Sequence, residues 1–155
     1  MPHKQMNKFE IQQFSELSET LINCLVELEA SIFEKPLTGD VFVSELEGKK
    51  NLLVLVAFQD SRPWGYKIGF EYSSNTFFSW SGGVRPDCRR RGLGSTLIAK
   101  QHQVAKELGY SYVRTHTKNK YPEMLILNIK SGFEVTGVYK SLQEAHQGII
   151  LEKAL

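Results

Sequence analysis

Residues 82–95 read Gly82-Gly83-Val84-Arg85-Pro86-Asp87-Cys88-Arg89-Arg90-Arg91-Gly92-Leu93-Gly94-Ser95 and join a strand-like run to a helix-like one. Upstream, TFFSWSGGV (76–84) is aromatic-rich and reads as a strand. Downstream, Leu93, Leu97, Val104 and Leu108 fall at helical spacing, and Gly109 is a natural stop. A strand that enters a helix through a glycine loop leaves the first helical N–H groups without acceptors. With the helix dipole they favour an anion, and glycines let a phosphate come close. The adjoining arginines add charge and forked donors.

Three phosphate-loop patterns compete for this stretch. GxxxxGK(S/T) has no match, and GxGxxG fails because Leu97 stands where its third glycine belongs. RxxGxG is matched by Arg89, Gly92 and Gly94, with Val84-x-Pro86 before it. A plain turn with a solvated basic face would account for Gly92 and Gly94, but not for Gly82-Gly83 inside the preceding strand. Paired glycines there weaken a strand and usually mark a bulge or a close backbone approach. A bulge just upstream suggests a ligand that runs from the helix tip along the strand edge, such as a pyrophosphate with a long amide-containing tail.

Working outward, Arg85, Arg89, Arg90 and Arg91 against Asp87 alone give residues 85–91 a local +3, while the whole 155-residue chain carries only +2. A general nucleic-acid binder would carry a larger basic excess. The chain is 41% hydrophobic and 11% aromatic, which argues against disorder and coiled coil. Its length predicts one domain over 1–155. Cys24 and Cys88 have neither disulfide-framework nor zinc spacing, so no metal is expected. Cys88 beside arginines would have a lowered thiol pKa, although a plain loop cysteine is favoured. MPHKQMNKFE has no apolar core and no run approaches membrane-spanning length, so a soluble, cytoplasmic protein with no membrane partner is expected.

The remaining elements follow from periodicity. Residues 8–13 suggest a short strand. A helix from Phe14, with Ser15 as N-cap, places Leu17, Leu21, Ile22, Leu25, Val26, Leu28 and Ile32 on its apolar stripe and Glu16, Glu19, Glu27 and Glu29 elsewhere. A short helix occupies 40–48. NLLVLVAF (51–58) reads as a central strand, and WGYKIGFEY (64–72) follows a turn at Ser61-Arg62-Pro63. Strands at 110–117, 133–140 and 146–155 and a helix opened by Tyr121-Pro122 and closed by Gly132 complete a mixed α+β order.

VRPDCRRRGLGSTLI (84–98) resembles the main cofactor motif of the GNAT superfamily of acyl-CoA-dependent N-acyltransferases, V-x-P-x-x-(R/Q)-x-x-G-x-(G/A) followed by a helix. THTKNKYPEMLILNIKSGF (115–133) resembles the later block of that family, in which an Asn, a helix and a Gly-Phe pair follow the fifth strand. The similarity spans about residues 51–153 and is closest to bacterial branches. It implies an α+β GNAT fold: a mixed, mostly antiparallel sheet of six to seven strands, splayed in the middle and flanked by about four helices. It also implies transfer of an acetyl group from acetyl-CoA to a primary amine, of a small molecule or a protein N-terminus, by direct attack in a ternary complex. Gly83 and Val84 would bond the pantetheine amides. Arg89, Arg90, Arg91, Gly92, Leu93, Gly94 and Ser95 would hold the pyrophosphate, and Asn119 and Asn128 would border the tail.

Such chemistry needs a base for the amine proton, and an acid to protonate the leaving thiolate assists it. Many members place a Tyr for the thiolate where this chain has Asn128. Tyr121 and Tyr139 are candidates for that role. Strand 76–84 holds no carboxylate, so Glu71, taken to face the cleft, is the first candidate base. Glu29, His116 or a water chain are further options, while His3, His102 and His146 have no partner in view. The alternative is a module that holds acyl-CoA without turnover. A nucleotide binder stacking bases on Trp80, Tyr110 and Tyr112 ranks third. Trp64, Phe77, Phe78 and Trp80 could wall an acceptor site, fill the core or form a homodimer interface.

Overall fold

The unbroken apolar run at 53–57 becomes β2 (Leu53–Gln59), and its first five residues are buried on both faces. In the computed structural model, which describes residues 9–140 and 147–155, β2 lies between β1 (Glu10–Phe14) and β3 (Arg62–Ser73), antiparallel to both. β4 (Thr76–Val84) pairs antiparallel with β3, and β5 (Tyr112–Lys118) pairs parallel with β4. β6 (Glu134–Lys140) and β7 (Gln147–Ala154) complete a seven-stranded sheet in the order β1-β2-β3-β4-β5-β7-β6. His3, His146 and the first residue of the strand expected at 8–13 lie outside the described residues.

Alternating residues of β2 feed two cores. Val54 and Val56 meet Leu21, Leu25 and Leu28 of α1 (Glu19–Ile32) and Phe42 and Leu46 of α2 (Gly39–Leu46). Leu53, Leu55 and Ala57 meet Leu93, Leu97, Ile98 and Val104 of α3 (Leu93–Glu107). α4 (Pro122–Lys130) packs against β5. Gly109 and Gly132 stand just past α3 and α4 at φ +95° and +96°, a conformation that favours glycine and ends a helix. Among the described residues no helix is long and apolar enough to cross a membrane.

Three expectations shift for physical reasons. α1 begins later than expected, with Ser18 rather than Ser15 as N-cap: its hydroxyl accepts the Leu21 N–H at 3.1 Å. Phe14 stays extended because it pairs with Val54 as the last residue of β1. The β2–β3 reversal sits at Asp60 and Ser61, both at positive φ, while Arg62 and Pro63 already pair with β2. The bulge in β4 falls at Trp80, not at the glycines: Ile68 opposes Ser81 and Gly69 opposes Ser79, so Trp80 is the extra residue.

β4 and β5 pair only from Thr76–Tyr112 to Ser79–Thr115. Thr115 Oγ1 donates to the Ser79 carbonyl at 3.0 Å as the last link. Beyond it Trp80–Val84 remain on β3 while His116–Lys118 remain on β7, so the two strands part.

Candidate active site

The parting of β4 from β5 opens a cleft of about 730 Å³, within the usual range for ligand sites. One wall is the freed edge of β4, with Ser79, Trp80, Ser81, Gly82, Gly83 and Val84, and the other is His116, Thr117 and Lys118 of β5. Its floor is the first turn of α3, and Leu127 and Asn128 of α4 close one side.

The α3 tip differs from those of α1 and α2. Ser18 and Thr38 cap the latter two with their side chains, whereas α3 starts at Gly92 (φ +75°) with no side-chain cap. Its leading N–H groups are therefore left for an anion. Gly92, Leu93, Gly94 and Ser95 line the cleft, as do Arg89 and Arg90. Arg89 Nε donates to the Val84 carbonyl at 3.2 Å, which ties the loop to the strand end.

The other two arginines turn away. Arg91 lies over the Trp64 ring at 5.0 Å and does not line the cleft. Arg85 is folded inward, donating to the Pro63 carbonyl and pairing with Asp87 at 3.8 Å and Glu27 at 4.0 Å. Cys88 is 1% exposed, and burial, followed by the neighbouring Asp87 carboxylate, raises its thiol pKa. The lowering expected from the arginines does not win, and the cysteine is a buried loop residue.

Gly82 and Gly83 provide close approach rather than a bulge. A Cβ on Gly82 would sit 2.8 Å from Lys67 Cδ, and one on Gly83 would sit 3.1 Å from the Ile32 side chain. Side chains here would crowd the β4 edge. Lys67, Ser79 and Asn128 line the cleft and are buried. Burial lowers the Lys67 pKa to about 8. Ser79 Oγ has no hydrogen-bond partner among the described residues. An unpaired strand edge, an uncapped helix tip, two arginines and an orphaned hydroxyl fit a phosphorylated ligand with an amide-bearing tail.

Asn119 and Glu71 also fall elsewhere. Asn119 is exposed in the turn after β5 and is not part of the lining. Glu71 is at the wrong end of the sheet: β3 is antiparallel to β4, so Tyr66 and Lys67 oppose Gly83 and Gly82, while Glu71 opposes Phe77. There Glu71 accepts the Tyr110 hydroxyl at 2.9 Å and pairs with Lys50 at 3.7 Å. Tyr110 and Tyr112 are correspondingly remote from the cleft lining.

Tyr139 lies beside His116, with ring centroids 5.2 Å apart, and does not line the cleft. His116 lines the cleft, accepts the Arg114 Nε–H at Nε2 (3.1 Å), and has a pKa lowered by burial and then by Arg114. Tyr121 lines the mouth and is exposed. His102 is buried behind the cleft against Phe133, its pKa lowered to about 4 chiefly by burial and then by Lys153 and Lys67. Phe77 is core, Phe78 and Trp80 pack on the α1–α2 side, and Trp64 sits against Phe9. Of these four aromatics Trp80 also lines the cleft, while the other three pack within the chain.

The sequence places Glu29 off the apolar stripe of α1, yet it is 2% exposed. It accepts the Tyr66 hydroxyl at 2.6 Å, and Tyr66 Oη lies 3.0 Å from Ser81 Oγ. Burial raises the Glu29 pKa, against the lowering effect of the hydrogen bonds from Tyr66 and the Leu37 N–H. Desolvating a carboxylate costs on the order of a few kcal/mol, whereas a hydrogen bond to a charged group returns about 1.5–3 kcal/mol. Its spacing from Leu21 and Leu25 was the signal in the sequence, since position 29 completes the 21, 25, 28, 32 stripe.

No curated protein sequence matches the chain. Among solved structures, the ribosomal-protein-S18-alanine N-acetyltransferase from Escherichia coli is similar at TM-score 0.79 and 17% identity, covering 94% of each chain. Ard1 from Thermoplasma volcanium is similar at TM-score 0.81 and 17% identity, covering 95% of this chain and 97% of that one. A GNAT family acetyltransferase from Elizabethkingia anophelis, solved with acetyl-CoA bound, is similar at TM-score 0.74 and 16% identity, covering 95% and 98%. The model of the acetyltransferase (GNAT) family matches residues 20–122, a span that runs from α1 through the cleft loop to the start of α4. With that match over more than half its length, and with β4 and β5 splayed over an uncapped α3, the chain belongs to the GNAT acetyltransferase family.

Proposed function

We propose that the protein transfers an acetyl group from acetyl-CoA to a primary amine, with its 155 residues acting as one catalytic unit. The observation that carries this reading is the divergence of β4 from β5 directly above the uncapped tip of α3. Acetyl-CoA would supply the activated acyl group as its thioester. The N–H groups of Gly92, Leu93, Gly94 and Ser95, with Arg89 and Arg90, would hold the pyrophosphate. Gly83 and Val84 would offer their backbone to the pantetheine amides, with Asn128 on the opposite side. Arg91 and Asn119 have no part in this set, since neither lines the cleft.

Holding amine and thioester in one cleft supplies much of the rate. Asn128 cannot protonate a thiolate at neutral pH, but Lys67 can place a positive charge in the same wall. A thiolate leaves readily enough for that to suffice. The acceptor would enter from the α1–α2 side, between Phe33 and His116, which both line the cleft.

The test begins with thermal denaturation. Acetyl-CoA at 100 times its Kd should stabilise the protein by about 2.7 kcal/mol, and no shift at millimolar acetyl-CoA would contradict the reading. CoA release is then followed with spermidine, amino acids, aminoglycosides and a peptide with N-terminal alanine, the last because the Escherichia coli structural relative is a ribosomal-protein-S18-alanine N-acetyltransferase. Stabilisation with no release from any amine would instead support a module that holds acyl-CoA without turnover.

A further inference from the structure

We propose that Glu29, Tyr66 and Ser81 form a proton path from the acceptor amine to a buried carboxylate, with Ser81 touching the amine and Glu29 acting through Tyr66. The inference rests on the acetyl-transfer reading and names the base that reading leaves open.

The hydrogen bonds have one consistent direction. Tyr66 has a single hydroxyl proton, and it is donated to Glu29 Oε1 at 2.6 Å. In the 3.0 Å contact with Ser81 Oγ, Tyr66 Oη is therefore the acceptor and Ser81 the donor. Ser81, with its own proton committed inward, is left with lone pairs for a donor in the cleft. Both Ser81 and Tyr66 line that cleft, and Ser81 is the residue after the Trp80 bulge, on the part of β4 that has left β5. An amine N–H is the donor it suits.

The step balances without a further reactant. The lone pair of the neutral amine forms the C–N bond to the acetyl carbon, and the C–S pair leaves with sulfur as the CoA thiolate. The amine proton passes to Ser81 Oγ as the Ser81 proton moves to Tyr66 Oη and the Tyr66 proton to Glu29 Oε1. Glu29 ends protonated and returns its proton to solvent after product departs. Tyr66 conducts without ionising, in keeping with a pKa that burial and the adjacent Glu29 push well above 10.

Glu29 is equipped to be the terminal acceptor. The groups that face its carboxylate are the Tyr66 hydroxyl from β3 and the Leu37 N–H from the segment between α1 and α2, with Ser81 beyond Tyr66. Among the described residues no cation comes within 4.0 Å of it. Its proton affinity is therefore not suppressed by an ion pair.

The experiment compares wild type with Glu29→Gln, Tyr66→Phe, Ser81→Ala and Ser81→Thr, using whichever amine of the panel is turned over. Loss of general-base assistance should lower kcat about 100-fold in the first three, while the Kd for acetyl-CoA stays within twofold of wild type. Ser81→Thr, which keeps a hydroxyl, should recover most of kcat. The rising limb of kcat against pH should disappear in Glu29→Gln. A kcat within twofold of wild type in Glu29→Gln and Tyr66→Phe, or an unchanged pH profile, overturns the path. If acetyl-CoA binds but no amine is turned over, the path is also overturned, whereas failure of wild type to bind acetyl-CoA refutes the acetyl-transfer reading itself.

Discussion

Two tyrosine–glutamate pairs stand at opposite ends of the β3–β4 ladder, and their surroundings differ. At the far end Tyr110 donates to Glu71, with Asn51 donating to Tyr110 and the exposed Lys50 beside the carboxylate. Every charge there has a partner or water. At the cleft end Tyr66 donates to Glu29, which is buried with no ion pair among the described residues, and Lys67 is buried across from Gly82. The far pair joins the β2–β3 region to the segment after α3, as a structural clasp should. The cleft pair is costly to keep folded, and sites under functional demand are where such costs persist.

The comparison breaks most visibly in catalysis. Glu29→Gln should lower kcat about 100-fold, while Glu71→Gln should leave kcat within twofold, both read by CoA release. Equal losses in the two variants would erase the distinction between the ends.

Stability should move in opposite directions. Lys67→Met removes a buried amine whose pKa is lowered to about 8, so at pH 7 the melting temperature should rise by several degrees, about 2–4 °C per kcal/mol at this size. The lowered pKa means that wild-type stability rises as pH climbs from about 8 through the ordinary lysine value, and the Met variant should lose that slope. At the far end, Tyr110→Phe removes the hydrogen bonds to exposed Asn51 and to Glu71, which keeps Lys50, and should cost about 0.5–1.5 kcal/mol, seen as a lower urea midpoint.

The smallest effect concerns pH and Glu29. Its pKa is raised in the folded state, so its stabilising contribution is complete below the ordinary glutamate value and is lost as pH rises through the folded one. Glu29→Gln should therefore gain melting temperature relative to wild type as pH rises from the ordinary glutamate value through the raised folded one. A gap that narrows over that range would contradict the sign.

The elements that place the cleft were legible because they are local. The 76–84 strand, the glycine loop and the amphipathic helix to Glu107 need only neighbours in sequence to be recognised. Glu71 differs from its expected place because an antiparallel hairpin sends the end of β3 away from the end of β4: counted from the turn at 74–75, Glu71 cannot reach Gly83. Arg91 and Asn119 were carried by their motifs, and only side-chain packing on Trp64 and the turn after β5 takes them out. Glu29 needed a partner 37 residues away, which no local pattern reveals. Its place on the leucine stripe of α1 was visible, but a charged residue there reads as polar surface until Tyr66 is seen beneath it.

Amide hydrogen exchange with and without acetyl-CoA tests the role of the cleft most directly. Protection should appear at Gly82–Val84 and Arg89–Ser95, with none at Asn51, Glu71 or Tyr110. Unchanged exchange across 89–95, or equal protection at both ends of the sheet, would contradict the assignment of the cleft as the acetyl-CoA site.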